Sequence, residues 1–440
     1  MKKSIATPVA LAALIGLSAC GVFKSDPKKT PTVGNRVPIL TAENAAEVDP
    51  SLSGVQVLLP PATVNAEWSQ PGGNAAKSMG HLALGGSPAR IWTASIDGGS
   101  NRQRLGAAPV VAEGKVFVVD VNAQLHAFSA DTGASQWTAD LSTTKENQAA
   151  LFGGGVSYDG GRVYATDGLG DVVALSAADG TVAWRVKPGG PLRGAPTIAN
   201  GQVYVLSQDN QLFALNQTDG KVVWTGTASV ETQGVFGVAA PAAAAGTIVA
   251  GFSSGELNAY RYENGRTLWQ DALSRTSIST SVSSLADIDA DPVIEDGRVY
   301  AVGQGGRMVA IEIATGQRLW EQNFASISEP WLAGEWLFII TDDARLVCLS
   351  RANGKVRWIG QLQAYRNVEK RKNPYTWYGP VLAGDRLWLT NSRGEIVGAS
   401  PADGSVQVTI DAAKSFTQPP VIANQTMFVL DQDGKLSAYR

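Results

Sequence analysis

The stretch Ala108-Pro109-Val110-Val111, Lys115-Val116-Phe117-Val118-Val119, Gln124-Leu125-His126-Ala127-Phe128, Asp131-Thr132-Gly133 and Gln136-Trp137-Thr138 decides the fold. Its short apolar or alternating runs are separated by Glu-Gly, Asn-Ala and Thr-Gly pairs, the pattern of strands joined by tight turns. The unit recurs along the chain. Its third-turn glycine, Gly133, returns as Gly180, Gly220, Gly265, Gly316, Gly354 and Gly404. Four residues after six of these stands a tryptophan: Trp137, Trp184, Trp224, Trp269, Trp320 and Trp358. The seventh copy has Val408 in that slot. Third strands keep a small residue in register, at Ala127, Ala174, Ala214, Ala259, Ala310, Cys348, Gly398 and Ala438. First strands open on Pro109, Pro196, Pro241, Pro292, Pro330, Pro380 and Pro419. A residue without an N–H suits the start of an edge strand.

The eighth copy, from Pro419, ends at Arg440 after three strands. Its fourth is supplied from far upstream, because Ala89-Arg90-Ile91-Trp92-Thr93-Ala94 repeats Ala134-Ser135-Gln136-Trp137-Thr138-Ala139 almost position for position. An N-terminal strand that completes the last unit closes a ring and hides the edges an open array would expose. Residues 88–440 divide into eight units of about 44 residues, a blade-sized period. The expectation is an all-β, eight-bladed propeller of four-stranded antiparallel blades. Each blade is buried on both faces, so the repeated indoles read as wedges between sheets rather than as a stacking platform for a cofactor.

Composition agrees. Apolar residues make up 44 % of the 440, enough for a core, and 48 glycines with 21 prolines supply the turns. A net charge of −3 gives no basic face for nucleic acid. Two histidines, His81 and His126, leave few candidates for zinc sites or imidazole catalysis. His126 reads as packed between blades, and His81 as a clasp on the segment before the ring. Gly153-Gly154-Gly155 and Gly303-Gln304-Gly305-Gly306 open no helix, so there is no dinucleotide fingerprint.

The N-terminus reads as an address. Lys2 and Lys3 precede an apolar run from Ile5 to Leu17, too short to span a bilayer and matched to a signal peptide. It ends in Leu17-Ser18-Ala19-Cys20, which resembles the bacterial lipoprotein box. That resemblance implies cleavage after residue 19 and lipidation of Cys20. Gly21 in the following position points to the outer membrane, with durable anchoring by several acyl chains. Residues 20–66 are expected to form a flexible tether, with a brief helix around Thr41 to Val48, and residues 67–87 a segment preceding the propeller. With Cys20 lipidated, Cys348 is a packed thiol without an intrachain disulfide partner.

The motif spanning Ala127–Trp137, Ala174–Trp184 and Ala214–Trp224 resembles the pyrroloquinoline-quinone (PQQ)-type repeat, and Glu67–Asn74 resembles the segment that opens such propellers. Together, lipobox, tether and eight blades resemble the BamB family, lipoproteins of the outer-membrane β-barrel assembly machine. The resemblance implies a non-catalytic scaffold without cofactor or resident metal. Its partners would be the POTRA domains of the barrel-forming BamA-type subunit and unfolded outer-membrane protein clients. It also implies an acidic contact at Asp287 and Asp289, just ahead of Asp291-Pro292. A neighbouring contact loop would carry Gln233, Val235 and Phe236, with Phe236 where the family has arginine and Gln233 and Val235 where it has leucines.

Other readings stay open. Asp287, Asp289 and Asp291 match the first ligands of a calcium loop, yet Pro292 and Arg298 stand where glycine and glutamate are needed. The aspartates also read as solvated turn residues. Arg366, Lys370, Arg371 and Lys372, followed by Tyr375, Trp377 and Tyr378, form a basic loop that could meet lipid phosphates, an acidic partner or only water. The rival functions are a PQQ- and calcium-dependent dehydrogenase and an envelope lipoprotein that binds glycan or another protein.

Overall fold

The structure is a computed structural model, and it describes residues 46–100, 102–144, 147–192, 194–230, 239–273 and 287–440. Residues 44–440 form one compact unit. Eight four-stranded antiparallel sheets succeed one another along the chain. The first comprises Val110–Ala112, Lys115–Val119, Gln124–Ser129 and Ser135–Asp140. The last takes Val421–Ala423, Thr426–Leu430 and Lys435–Tyr439 and adds Arg90–Ser95 as its outer strand. Trp92 pairs with Ala438 in that join, as the repeat alignment requires.

The repeated residues form one packing row. In every blade but the seventh the small third-strand residue lies directly opposite the fourth-strand tryptophan, as in Ala127 with Trp137 and Ala214 with Trp224. On its other side it faces an aromatic from the second strand, such as Phe117 or Tyr204, except in blade 4, where Val249 faces Ala259. Ring centroids of Phe117 and Trp137 are 5.8 Å apart, and those of Tyr204 and Trp224 5.9 Å, both tilted. A small middle residue lets the two rings approach across the strand. Cys348 fills this slot in blade 6, opposite Trp358 and fully buried, and burial pushes its thiol pKa far up.

Each tryptophan also crosses to the following blade. Trp224 Nε1 donates to Tyr262 O at 2.7 Å, and its ring lies where a Cβ on Gly265 would sit 2.6 Å away. The same pairing joins Trp92 to Gly133, Trp137 to Gly180, Trp184 to Gly220, Trp269 to Gly316, Trp320 to Gly354 and Trp358 to Gly404. Val408 departs from the pattern for a topological reason. The next blade takes its fourth strand from Arg90–Ser95 rather than through a third-to-fourth hairpin, so no turn glycine or carbonyl awaits an indole. Blade 7 places its large ring on the second strand instead, where buried Trp388 pairs with Gly398 and donates to Ala383 O.

Of the expected helix at Thr41–Val48, residues 41–45 lie outside the described residues, and 46–48 are irregular. A single 3-10 turn follows at Pro50–Leu52, capped by the Asp49 carboxylate. Residues 46–66, read from sequence as tether, lie along the propeller. Asp49 N donates to Val356 O and its carboxylate meets Lys355 at 3.0 Å. Arg357 Nε donates to Val55 O. His81 clasps this strap, its Nδ1 2.7 Å from Pro60 O while Nε2 accepts from Asp385 N. His126, half-buried, pairs with Asp120 of its own blade at 2.9 Å and stacks on Phe128.

Candidate partner-binding site

A propeller has two unlike ends. Links between successive blades, from a fourth strand to the next first strand, all emerge at one of them, the connector end. At the other lie the first-to-second and third-to-fourth hairpins, and the strap of residues 46–66 runs along these, meeting Val356 directly and reaching Asp385 through His81.

Around the central channel, the innermost strand of every blade turns an unpaired backbone edge inward, and buried unpaired amides are costly. Residues 65–84 bond to such groups in seven blades and reach blade 6 through an indole. Asn65 bonds Ile422 O and Asn424 N in blade 8, and Trp68 pairs with Val111 in blade 1. Ser69 O accepts from Tyr158 N, and the Gln70 amide exchanges two bonds with Ile198. Ala75 O and Ala76 O accept from Ala243 N and Ile294 N, and Gly80 O from Trp331 Nε1. Leu82 bonds Leu382 O and Gly384 N. The segment thus visits blades 8, 1, 2, 3, 4, 5, 6 and 7 in turn, and Trp68 stacks on Trp331 at 6.0 Å. Its Gly and Ala content follows from the narrowness of the channel. A Cβ on Gly72 would meet the Glu329 carboxylate at 2.6 Å.

This belt floors a cavity of about 230 Å³ that faces the connector end, walled by Trp68, Trp331, Tyr378 and the blade-opening Pro109, Pro380 and Pro419. Its polar groups include Arg104, Asp289, Asp291, Gln304 and Glu329. Lys77, fully buried, reaches Thr197 Oγ1 at 3.2 Å and Asp291 Oδ2 at 4.0 Å. Burial drives the Glu329 carboxyl well above the usual range, reinforced by Asp291, and raises Asp291 too, against the pull of Lys77. Burial lowers the Lys77 ammonium.

The sequence-predicted residues divide. Asp287 and Asp289 do lie at the connector end, but both are buried, at 0 % and 7 % exposure. Asp287 O accepts from Gln304 N, and Asp289 Oδ2 from Gln304 Nε2 at 2.9 Å, so one glutamine ties the loop at both aspartates. Of the two, Asp289 lines the cavity. Gln233, Val235, Phe236 and Cys20 lie outside the described residues. The Lys77–Asp291–Glu329 group was not expected from sequence, although a signal existed. The residue before each blade-opening proline is uncharged at Ala108, Ala195, Ala240, Gly379 and Gln418, and acidic only at Asp291 and Glu329.

The donor set does not suit a quinone held over calcium. Asp291 and Glu329 share their channel with the Lys77 ammonium, which a calcium ion would have to approach against like charge. Among the described residues no cluster of three or more His, Cys, Asp or Glu side chains has metal-holding geometry.

Relatives match about 80 % of the chain. The sequence profile described as outer membrane protein assembly factor BamB matches residues 82–150, 127–360 and 366–440. The chain belongs to the BamB family. The Yersinia pestis BamB is 28 % identical over 361 residues, spanning 80 % of this chain and 89 % of that one. The Escherichia coli K12 BamB is 28 % identical over 355 residues, covering 79 % and 88 %. The crystal structure of Moraxella catarrhalis BamB superposes with a TM-score of 0.68 at 17 % identity, over 80 % of this chain and all of that one. A quinohemoprotein alcohol dehydrogenase from Comamonas testosteroni reaches 0.67 at 12 % identity, over 86 % and 81 %. At such identities the structural likenesses speak for the fold alone.

Proposed function

We propose that this chain is a non-catalytic scaffold for outer-membrane protein assembly. It is anchored in the outer membrane through lipid on Cys20, and its connector end binds the POTRA region of a BamA-type subunit. The observation that carries the reading is similarity to BamB assembly factors over 80 % of the chain, 28 % identical over 361 residues. Support also comes from the channel, which the chain's own belt and the Lys77 side chain occupy.

Within this reading Asp287 holds the contact loop through its backbone, and Asp289 presents its edge at the cavity mouth. Gln233, Val235 and Phe236 supply the neighbouring contacts, with Phe236 as the aromatic anchor. The test is co-purification of a BamA-type protein from solubilised membranes with the full-length chain. The reading expects capture by the wild type, and reduced capture by Phe236→Ala and by Asp287→Ala with Asp289→Ala. Wild-type amounts of partner on both variants would move the interface elsewhere. Dye-linked alcohol oxidation after incubation with PQQ and calcium would overturn the scaffold reading.

A further inference from the structure

The link from blade 6 to blade 7 is unlike the other described connectors. It rises as a two-stranded hairpin, Tyr365–Asn367 paired with Lys372–Pro374, at the connector end. Its turn is fixed by Arg371 N donating to Val368 O and Lys370 N to Asn367 Oδ1 at 2.8 Å. The base is clamped as well. Tyr375 stacks on Trp377 with centroids 6.1 Å apart, the Arg393 guanidinium lies 5.7 Å over the Tyr375 ring, and Trp377 Nε1 donates to Gln363 O. The hairpin is therefore a braced projection.

On it stand Arg366, Lys370, Arg371 and Lys372 against one acid, Glu369, all exposed. Among the described residues none of the four cations makes an ion pair, whereas Arg318, Arg345 and Arg351 elsewhere are paired with carboxylates. The apex carries Val368, 70 % exposed, between these charges. Four unpaired cations on a rigid support are arranged for a ligand outside the molecule.

We infer that this hairpin is a second docking point at the connector end, fitted to an acidic protein surface with an apolar spot for Val368. Charge complementarity selects an anionic partner, and position selects protein over membrane. The hairpin shares its end of the ring with Asp289 and the cavity mouth. As a contact for the same partner, the inference rests on the assembly reading; as an acid-binding surface it stands without it.

The test compares the wild-type full chain with the quadruple variant Arg366→Gln, Lys370→Gln, Arg371→Gln, Lys372→Gln, after confirming that their unfolding midpoints coincide. Three probes are used: the POTRA region of the BamA-type subunit, poly-glutamate, and phosphatidylglycerol vesicles in phosphatidylcholine. Wild type should bind the POTRA region with an affinity that falls as salt rises. The variant should bind it about tenfold more weakly at low salt and with a shallower salt dependence, as expected for the loss of several rim charges. Poly-glutamate should be retained by wild type and not by the variant. Equal binding of both proteins to the POTRA region and to poly-glutamate would overturn the inference, as would hairpin-dependent flotation with vesicles without poly-glutamate retention. If wild type retains poly-glutamate through the hairpin but captures no POTRA region, the assembly reading fails and the acidic-partner surface stands.

Discussion

Replacing Gly265 by alanine adds one methyl group at a point where two blades touch. Gly265 has φ +68°, and a Cβ there would lie 2.6 Å from the Trp224 ring. Two separable penalties follow. Holding a non-glycine residue in the left-handed region costs about 1–2 kcal/mol, offset by roughly 0.4–1 because alanine restricts the unfolded chain. Forcing a carbon into a packed ring adds about 1–3 kcal/mol, because Trp224 is itself held by its bond to Tyr262 O. Gly297 provides the comparison, with φ +75° and nothing within 4 Å of the added carbon. The expected loss is about 1 kcal/mol for Gly297→Ala and about 3 kcal/mol for Gly265→Ala. Urea unfolding of the full chain, followed by tryptophan fluorescence and by circular dichroism, reads both. Adding Gly265→Ala to Trp224→Ala should cost no more than Gly297→Ala does, since the ring it collides with is gone. Equal losses for the two glycine variants in the wild-type background would refute the argument that the tryptophan wedge demands glycine from the following blade.

Lys77→Met removes the cation facing Asp291 and Glu329, and stability should fall by about 3–5 kcal/mol near neutral pH. In that variant the folded Asp291 pKa rises further, so the folded state holds more protons than the unfolded one and the deficit should shrink toward pH 5 in thermal melts. Asp167 is buried, mainly for that reason pushed up to about 6, with Oδ1 accepting from Leu169 N and Asp171 N and Oδ2 unpartnered. Because its folded pKa is raised, its contribution falls as pH climbs from about 4 to about 6. Asp167→Asn should therefore raise the melting temperature near pH 8, by up to about 3 kcal/mol of stability, and not near pH 4. Cys20→Ser should move the protein from the outer-membrane fraction to the soluble periplasmic fraction on cell fractionation; unchanged membrane association would show another anchor.

Much of the ring was legible because its determinants are local and repeated. Tight turns, alternating runs, the small third-strand residue and the tryptophan four places past glycine all report on one blade at a time. The closing strand was legible for the same reason, as a displaced copy of a pattern seen elsewhere. Val408 showed as an exception without its cause. The site was less legible. Asp287 and Asp289 were read as partner contacts or solvated turn residues, yet both are buried, and Gln304 from the blade they lead into bonds to each.

By itself the sequence determined the fold class, the blade number, the ring closure and an expected address, because each is written in short-range patterns whose repetition reinforces the reading. Only the tertiary structure decided that residues 65–84 line the channel and bond all eight blades, and that Lys77 is sealed between Thr197 and Asp291. It also separated the strap's end of the ring from the end that bears the basic hairpin. Those facts depend on inner edges and charges brought together across more than 350 positions of chain, 357 between Asn65 and Ile422. Such a meeting exists only once the ring has closed, and no local pattern encodes it.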